Sequence, residues 1–305
     1  SGATTYTSES SDGALVINNL SALPTININS STEATTINFT DAALSTSAQT
    51  LTLNLNNYDA SEAGDILAIT DAGGTTNTLE TVSLVTSSLA STINDLQTTD
   101  VGTTTLSITG DQNLTISTAL DTEIATVSAG AFTGDLTLTA GLGATTGGVT
   151  VTTYTGTDSV IASTTGTDTI SLGSGNDTLG VASASLTSAD TVNLGDGADI
   201  LQTTDAMDLA DADFTNVTNV ETLTLATTTH AITLTMGAET SEAGIATVTT
   251  GTGINVINVG ALHTAALTID QTSAGSDTFD ASAYTGALTV NMNQTGQAAD
   301  TVTGG

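Results

Sequence analysis

Apolar and polar residues alternate along almost the whole chain in short runs. Thr25-Ile26-Asn27-Ile28-Asn29, Leu51-Thr52-Leu53-Asn54-Leu55, Leu136-Thr137-Leu138-Thr139, Val149-Thr150-Val151-Thr152, Leu223-Thr224-Leu225, Ile232-Thr233-Leu234-Thr235 and Leu288-Thr289-Val290-Asn291-Met292 all repeat with a period of two. That period sets Leu, Ile or Val on one face of an extended strand and Thr or Asn on the other. Clusters of Gly, Asp, Asn and Ser separate the runs and supply turns, and the single Pro, Pro24, lies near the start. No apolar stripe with helical spacing extends beyond about two turns.

Strands this short and numerous bury little each. Aromatic residues make up 3% of the chain and Trp is absent, so a thick central core is not expected. The pattern predicts an all-β fold, a parallel β-solenoid (β-helix) over much of the chain, in which each coil buries a thin aliphatic stripe against its neighbours. A β-sandwich-like N-terminal part is the alternative for the first hundred residues, where turn signals are irregular. Four segments are expected: an N-terminal β segment over 1–50, a β module over 51–153, glycine-rich repeats over 154–201 and a second β module over 202–305. Two echoes relate the modules. Gly64-Asp65-Ile66-Leu67 resembles Ala198-Asp199-Ile200-Leu201, and Ala131-Phe132-Thr133-Gly134 resembles Ala283-Tyr284-Thr285-Gly286.

Charge changes the picture. The 305 residues include 32 Asp plus Glu and no Lys or Arg, a formal net charge of −32. No Lys or Arg is present to offset carboxylate repulsion, so positive charge must come from outside the chain. Nucleic acid is set aside as a partner because phosphate binding relies on basic side chains, and membrane insertion because no long apolar run exists. A hard divalent cation fits the many oxygen donors. Cysteine is absent, which removes disulfides and thiolate sites.

The densest motif lies between 154 and 201. Gly156-Thr157-Asp158-Ser159-Val160 and Gly166-Thr167-Asp168-Thr169-Ile170 read Gly-x-Asp-x-aliphatic. Gly173-Ser174-Gly175-Asn176-Asp177-Thr178-Leu179 and Gly195-Asp196-Gly197-Ala198-Asp199-Ile200-Leu201 extend this to Gly-x-Gly-x-Asp-x-aliphatic, while Asp190-Thr191-Val192 keeps its second half. A further copy is Gly275-Ser276-Asp277-Thr278-Phe279, and Asp300-Thr301-Val302 begins another. Asp168 to Asp177 and Asp190 to Asp199 are nine residues apart, whereas Asp177 to Asp190 is thirteen.

These residues resemble the RTX family of secreted proteins, whose glycine-rich nonapeptides form a calcium-binding parallel β-helix. The resemblance implies calcium (Ca2+) as cofactor, two nonapeptides per coil, and metal-site roles for Gly156, Asp158, Gly166, Asp168, Gly173, Gly175, Asn176, Asp177, Asp190, Gly195, Asp196, Gly197, Asp199, Gly275, Asp277 and Asp300. Leu172 and Leu194 stand where the family usually has its first Gly, so fewer ions than motifs are expected. With the Thr-rich strands, Asn219-Val220-Glu221-Thr222-Leu223 and Asp280-Ala281-Ser282-Ala283-Tyr284, the chain looks like surface-layer proteins of Gram-negative bacteria. That likeness implies type I export, a secreted protein at the extracellular cell surface, calcium-triggered folding and self-assembly into a lattice.

An extracellular adhesin or ice-binding-like module is the alternative, carried by repeated Thr-x-Thr such as Thr222-Leu223-Thr224, with a cell-surface glycan among its partners. Irregular spacing of the copies argues against it. A carbohydrate-active β-helix enzyme is the less favoured reading, since no Lys or Arg is present and His230 and His263 read as partly exposed strand residues; the protein is expected not to be an enzyme. The start at Ser1 lacks a signal peptide and the end at Gly305 falls within a motif, so a piece of a longer polypeptide is expected.

Overall fold

The computed structural model describes residues 3–44, 49–71, 78–98, 101–143, 147–182, 185–225, 231–271, 275–292 and 300–304. The chain is an all-β parallel β-solenoid from residue 5 to residue 304, with about 12 turns in total. It divides into two compact units, Ser1–Gly166 and Thr167–Gly305. Among the described residues helix is confined to short pieces such as Asp211–Phe214 and Ala238–Glu242. None is long and apolar enough to cross a membrane.

In the first unit, three stacks of parallel strands form the walls. One runs through Thr5–Glu9, Thr25–Asn29, Thr50–Asn56, Thr81–Thr86, Thr105–Gly110, Thr126–Phe132 and Thr150–Thr152. A second holds Leu15–Leu20, Thr35–Phe39, Ile66–Asp71 and Asp95–Gln97; a third holds Asp59–Ala60, Ser91–Ile93, Leu114–Ile116, Leu136–Leu138 and Ser159–Ile161. The alternation of the sequence becomes a column: Leu51, Val82, Leu106, Val127 and Val151 are in register and fully buried. Burying one such side chain contributes about 1.5–3 kcal/mol, so a coil is held by its neighbours and not by itself.

The N-terminal hundred residues belong to this solenoid and not to a sandwich. Thr5 pairs with Thr25, Thr25 with Thr52 and Thr50 with Thr81, all parallel, so successive coils take 20, 27 and 31 residues. A sandwich pairs its strands antiparallel. Loops of unequal length produced the irregular turn signals. Ser10, Ser30, Asn57 and Ser88 turn the corner after four of these strands with left-handed φ of 52°, 52°, 55° and 64°, a conformation that short polar side chains tolerate better than branched ones.

The outer face of the first stack is equally ordered. Thr5, Thr25, Thr52, Ser83, Ser107, Ser128 and Thr152 form one row, and Thr50, Thr81, Thr105, Thr126 and Thr150 form the next. Asn54 donates to Asn27 Oδ1 at 2.7 Å and Asn27 to Thr7 Oγ1 at 3.0 Å, so amides also link coils. The irregular spacing of Thr in the sequence therefore does not mean an irregular surface, because the loops absorb the differences.

In the second unit, one stack runs through Thr169–Ser171, Thr191–Asn193 and Val217–Thr218. Another runs through Thr178–Val181, Ile200–Thr203, Thr222–Thr224, Thr247–Thr250, Leu267–Gln271 and Leu288–Met292, and a third through Ile232–Met236, Asn255–Val259, Thr278–Ala281 and Thr301–Gly304. Leu179, Leu201, Leu223, Val248 and Ile269 form its buried column.

Candidate cation site

Asp and the aliphatic residue two positions later lie on the same side of a strand, because successive side chains alternate. The motif therefore turns both inward. Asp158, Asp168, Asp177, Asp190, Asp199 and Asp277 are all buried, as are Val160, Ile170, Leu179, Val192, Leu201 and Phe279. Asn176 and Asp196 remain exposed and Asp300 is half-buried.

Five of the motif carboxylates cap the coil before them. Asp158 Oδ1 accepts the Leu136 N–H at 2.8 Å, Asp190 Oδ1 that of Asp168 at 2.7 Å, and Asp199 Oδ1 that of Asp177 at 2.8 Å. Asp277 Oδ1 accepts the Asn255 N–H at 2.7 Å, and Asp300 Oδ1 that of Asp277 at 2.8 Å. The partners are 22 residues apart, or 23 for the last pair. The coil here is thus 22 residues and not two nonapeptides. Nine residues carry the chain from Asp168 to Asp177 at the next corner, and the thirteen to Asp190 complete the circuit.

The two fullest motifs stack directly on each other. Asp196 N–H donates to Gly173 O, and Gly175 N–H to Asp196 O, both at 2.9 Å. A Cβ on Gly195 would lie 1.7 Å from Gly173 O, and one on Gly197 1.7 Å from Gly175 O. Gly195 also has φ of +99°. Glycine is required for the turns to approach this closely. Gly156, Gly166 and Gly275 likewise abut the backbone of the preceding coil, with a Cβ at 2.5, 2.1 and 2.1 Å from Gly134 O, Gly148 N and Gly253 O. Gly173 and Gly175 have φ of 86° and 141°.

The columns differ in how their carboxylates are satisfied. Asp277 accepts from Asn255 N–H and Nδ2 on one oxygen and from Gln271 Nε2, at 2.9 Å, on the other. Asp190 Oδ2 accepts from the Thr187 amide and hydroxyl at 2.7 and 3.0 Å. Asp199 is different: its residue is 0% exposed, yet Oδ2 has no hydrogen-bond partner among the described residues. Burial pushes its carboxyl above the ordinary carboxylate range, and the charges of Glu221 and Asp196 push it further. Burial also raises Asp158, against the bonds from Thr153 and Leu136. Among the described residues no three His, Asp or Glu side chains converge as a metal-binding group. An ion beside Asp199 would therefore draw many of its donors from backbone carbonyls, as Ca2+ readily does.

Two features escaped sequence reasoning. Glu221 Oε2 accepts the Asp199 N–H at 2.8 Å, the role that Asp199 plays for Asp177. The signal was the 22-residue step itself, hidden because the residue type changes. The other is His263, which lies in a turn and is fully buried, not in a strand and partly exposed. Its Nδ1 is 3.3 Å from Thr240 Oγ1, which also bonds Asp211 Oδ1 at 2.9 Å, and the Tyr284 ring lies 5.9 Å away. His230 lies outside the described residues.

Burial holds the His263 imidazole below its ordinary value, with Asp211 acting in the opposite sense. The unfolded chain then binds the proton more readily, so this residue's contribution is complete above a pH of about 6.5 and is lost as pH falls through the folded value. As pH falls from about 7 to 5, the melting temperature of His263→Leu is expected to rise relative to that of the wild type. An unchanged difference between the two would mean that the imidazole does not titrate with unfolding.

No protein-family model, curated protein or solved structure matches the chain. The resemblance to RTX repeats stands on the motif residues alone.

Proposed function

We propose that this chain is a calcium-dependent structural segment of a bacterial cell surface, secreted and able to assemble with copies of itself into a surface layer. The observation that carries the reading is Asp199 Oδ2, a carboxylate oxygen buried without a hydrogen-bond partner among the described residues, beside stacked glycine turns, in a chain with no Lys or Arg. Burying such a charge is costly unless a counter-charge joins it. The donor set is oxygen throughout, which suits a hard cation, and the carbonyl-rich turns of Gly173–Gly175 and Gly195–Gly197 are the elements that would hold Ca2+ with Asp177 and Asp199. A bound ion would neutralise repulsion between coils. Calcium between copies would do the same for a particle of charge −32, whose self-repulsion keeps it dispersed.

Calorimetric calcium titration separates ligation from capping. Asp199→Ala is expected to weaken binding, while Asp277→Ala leaves affinity unchanged and lowers stability by on the order of 3 kcal/mol, since it strands buried donors of Asn255 and Gln271. Equal affinities for both variants would point to diffuse attraction. Light scattering during the same titration, with magnesium as control, is expected to show growth with calcium; a monomer at millimolar calcium would count against the lattice.

One observation favours a second reading, an extracellular adhesin or ice-binding-like module. The in-register hydroxyl rows from Thr5 to Thr152 and from Thr50 to Thr150 form a repeating surface. Thermal hysteresis in solution, absent under the structural reading, would favour it.

A further inference from the structure

We infer that Glu221, which lies outside every glycine motif, is a cation ligand that completes the site at Asp199. The inference rests on the calcium reading above and adds a residue to it. In this column the donor–acceptor step repeats: Asp177 N–H donates to Asp199 Oδ1, and Asp199 N–H to Glu221 Oε2, each at 2.8 Å and across 22 residues. The next step up has no such acidic partner, because Thr222 pairs with Thr247 and Ala246 precedes it. Glu221 is therefore the last rung.

Three observations bear on the pair Asp199 and Glu221. Asp199 Oδ2 is buried and accepts no hydrogen bond from the described residues, so a cation that reaches it displaces no protein donor. Glu221 bonds the Asp199 amide through Oε2 at 2.8 Å, which leaves its second oxygen to coordinate beside Asp199. No Lys or Arg in the chain can answer two adjacent carboxylates. Hydrogen bonding by one oxygen and metal ligation by the other is an ordinary division of labour for a carboxylate, which offers several lone pairs. The longer Glu side chain fits its place: the segment before it, Asn219-Val220, replaces the glycine turn, with Asn219 at φ of 58°. Two carboxylates plus turn carbonyls make a hard, oxygen-only site of the kind that prefers Ca2+ to softer ions.

The test uses the whole chain and calcium alone as the probe. Wild type, Glu221→Gln, Glu221→Asp, Asp199→Asn and Glu242→Gln are stripped of metal, checked by circular dichroism and titrated calorimetrically, with terbium luminescence as a second readout. Glu221→Gln keeps an oxygen for the Asp199 amide, so the coil is retained while the charge is lost. Glu221→Asp keeps the charge and loses the reach. Both are expected to weaken one site on the order of tenfold or more, as is Asp199→Asn, whereas exposed Glu242→Gln leaves it unchanged. Wild-type affinity in both Glu221 variants, with Asp199→Asn impaired, would overturn the role of Glu221 and leave the calcium reading standing. Absence of calcium binding by the wild type would overturn both.

Discussion

Gly197→Ala is expected to break the stack between the two fullest glycine turns and to cost more than about 4 kcal/mol, the range reserved for substitutions with no route to relaxation. The added Cβ would lie 1.7 Å from Gly175 O and 2.8 Å from its carbonyl carbon, and both belong to backbone. The third close atom, Asp199 Oδ1 at 2.8 Å, belongs to a side chain, but moving it leaves the backbone clash in place. Relief requires the Gly195–Gly197 turn to lift from the coil before it, which breaks the bonds between Asp196 and Gly173 and between Gly175 and Asp196. The same movement would draw Asp199 Oδ1 off the Asp177 amide. Gly13→Ala is the control: nothing lies within 4 Å of its Cβ and the residue is exposed. Urea unfolding of both variants decides the matter, with a near-neutral result at Gly13 and a large loss at Gly197. Similar midpoints would mean that the turns are not stacked this closely.

Chelation is the second change with a large expected effect, and its size depends on pH. In the cation-free protein, burial holds the Asp158 and Asp199 carboxyls above their ordinary values. The folded state then binds protons more readily than the unfolded chain. The stability associated with these groups is complete below their unfolded value of about 3.8 and is lost as pH rises through the folded values. Acidification also reduces the repulsion of a chain whose formal charge is −32. Cation-free protein is therefore expected to melt at a higher temperature near pH 5 than near neutrality, most clearly in the His263→Leu background, where the opposing imidazole is removed. Calcium binds the ionised carboxylate, so its benefit grows with pH. Near neutral pH, saturating calcium is expected to raise the melting temperature by about 5–10 °C, reversing the trend. Identical melting with calcium and with chelator would remove the reason for a bound ion.

The inward and outward faces of the strands were legible because the period of two is local. Leu179, Leu201 and Leu223 could be assigned to a core without knowing which coil each belonged to. The motif residues were legible for the same reason, since Asp199 and Leu201 share a face of one strand. Closure of the coil is not local. Thr5, Thr25 and Thr52 lie over one another although their spacings differ, because the connecting loops vary while the parallel pairing does not. That variation hid the ordered hydroxyl rows and left the N-terminal part open to a sandwich reading. The thirteen residues between Asp177 and Asp190 looked like a departure from a nine-residue repeat, when they are the rest of the 22-residue coil. Glu221 was obscured by a change of residue type at a repeated step of the coil, and His263 by strand-like neighbours that fold into a turn.

Diffraction from crystals grown with calcium or terbium, measured for anomalous scattering, addresses the Asp199 site directly. The predicted result is an anomalous peak at about 2.3–2.6 Å from Asp199 Oδ2, shared with a Glu221 carboxylate oxygen and with carbonyls of the stacked glycine turns. A well-ordered Asp199 whose Oδ2 meets only water or a protein donor, with no peak beside it at millimolar calcium, would contradict the account.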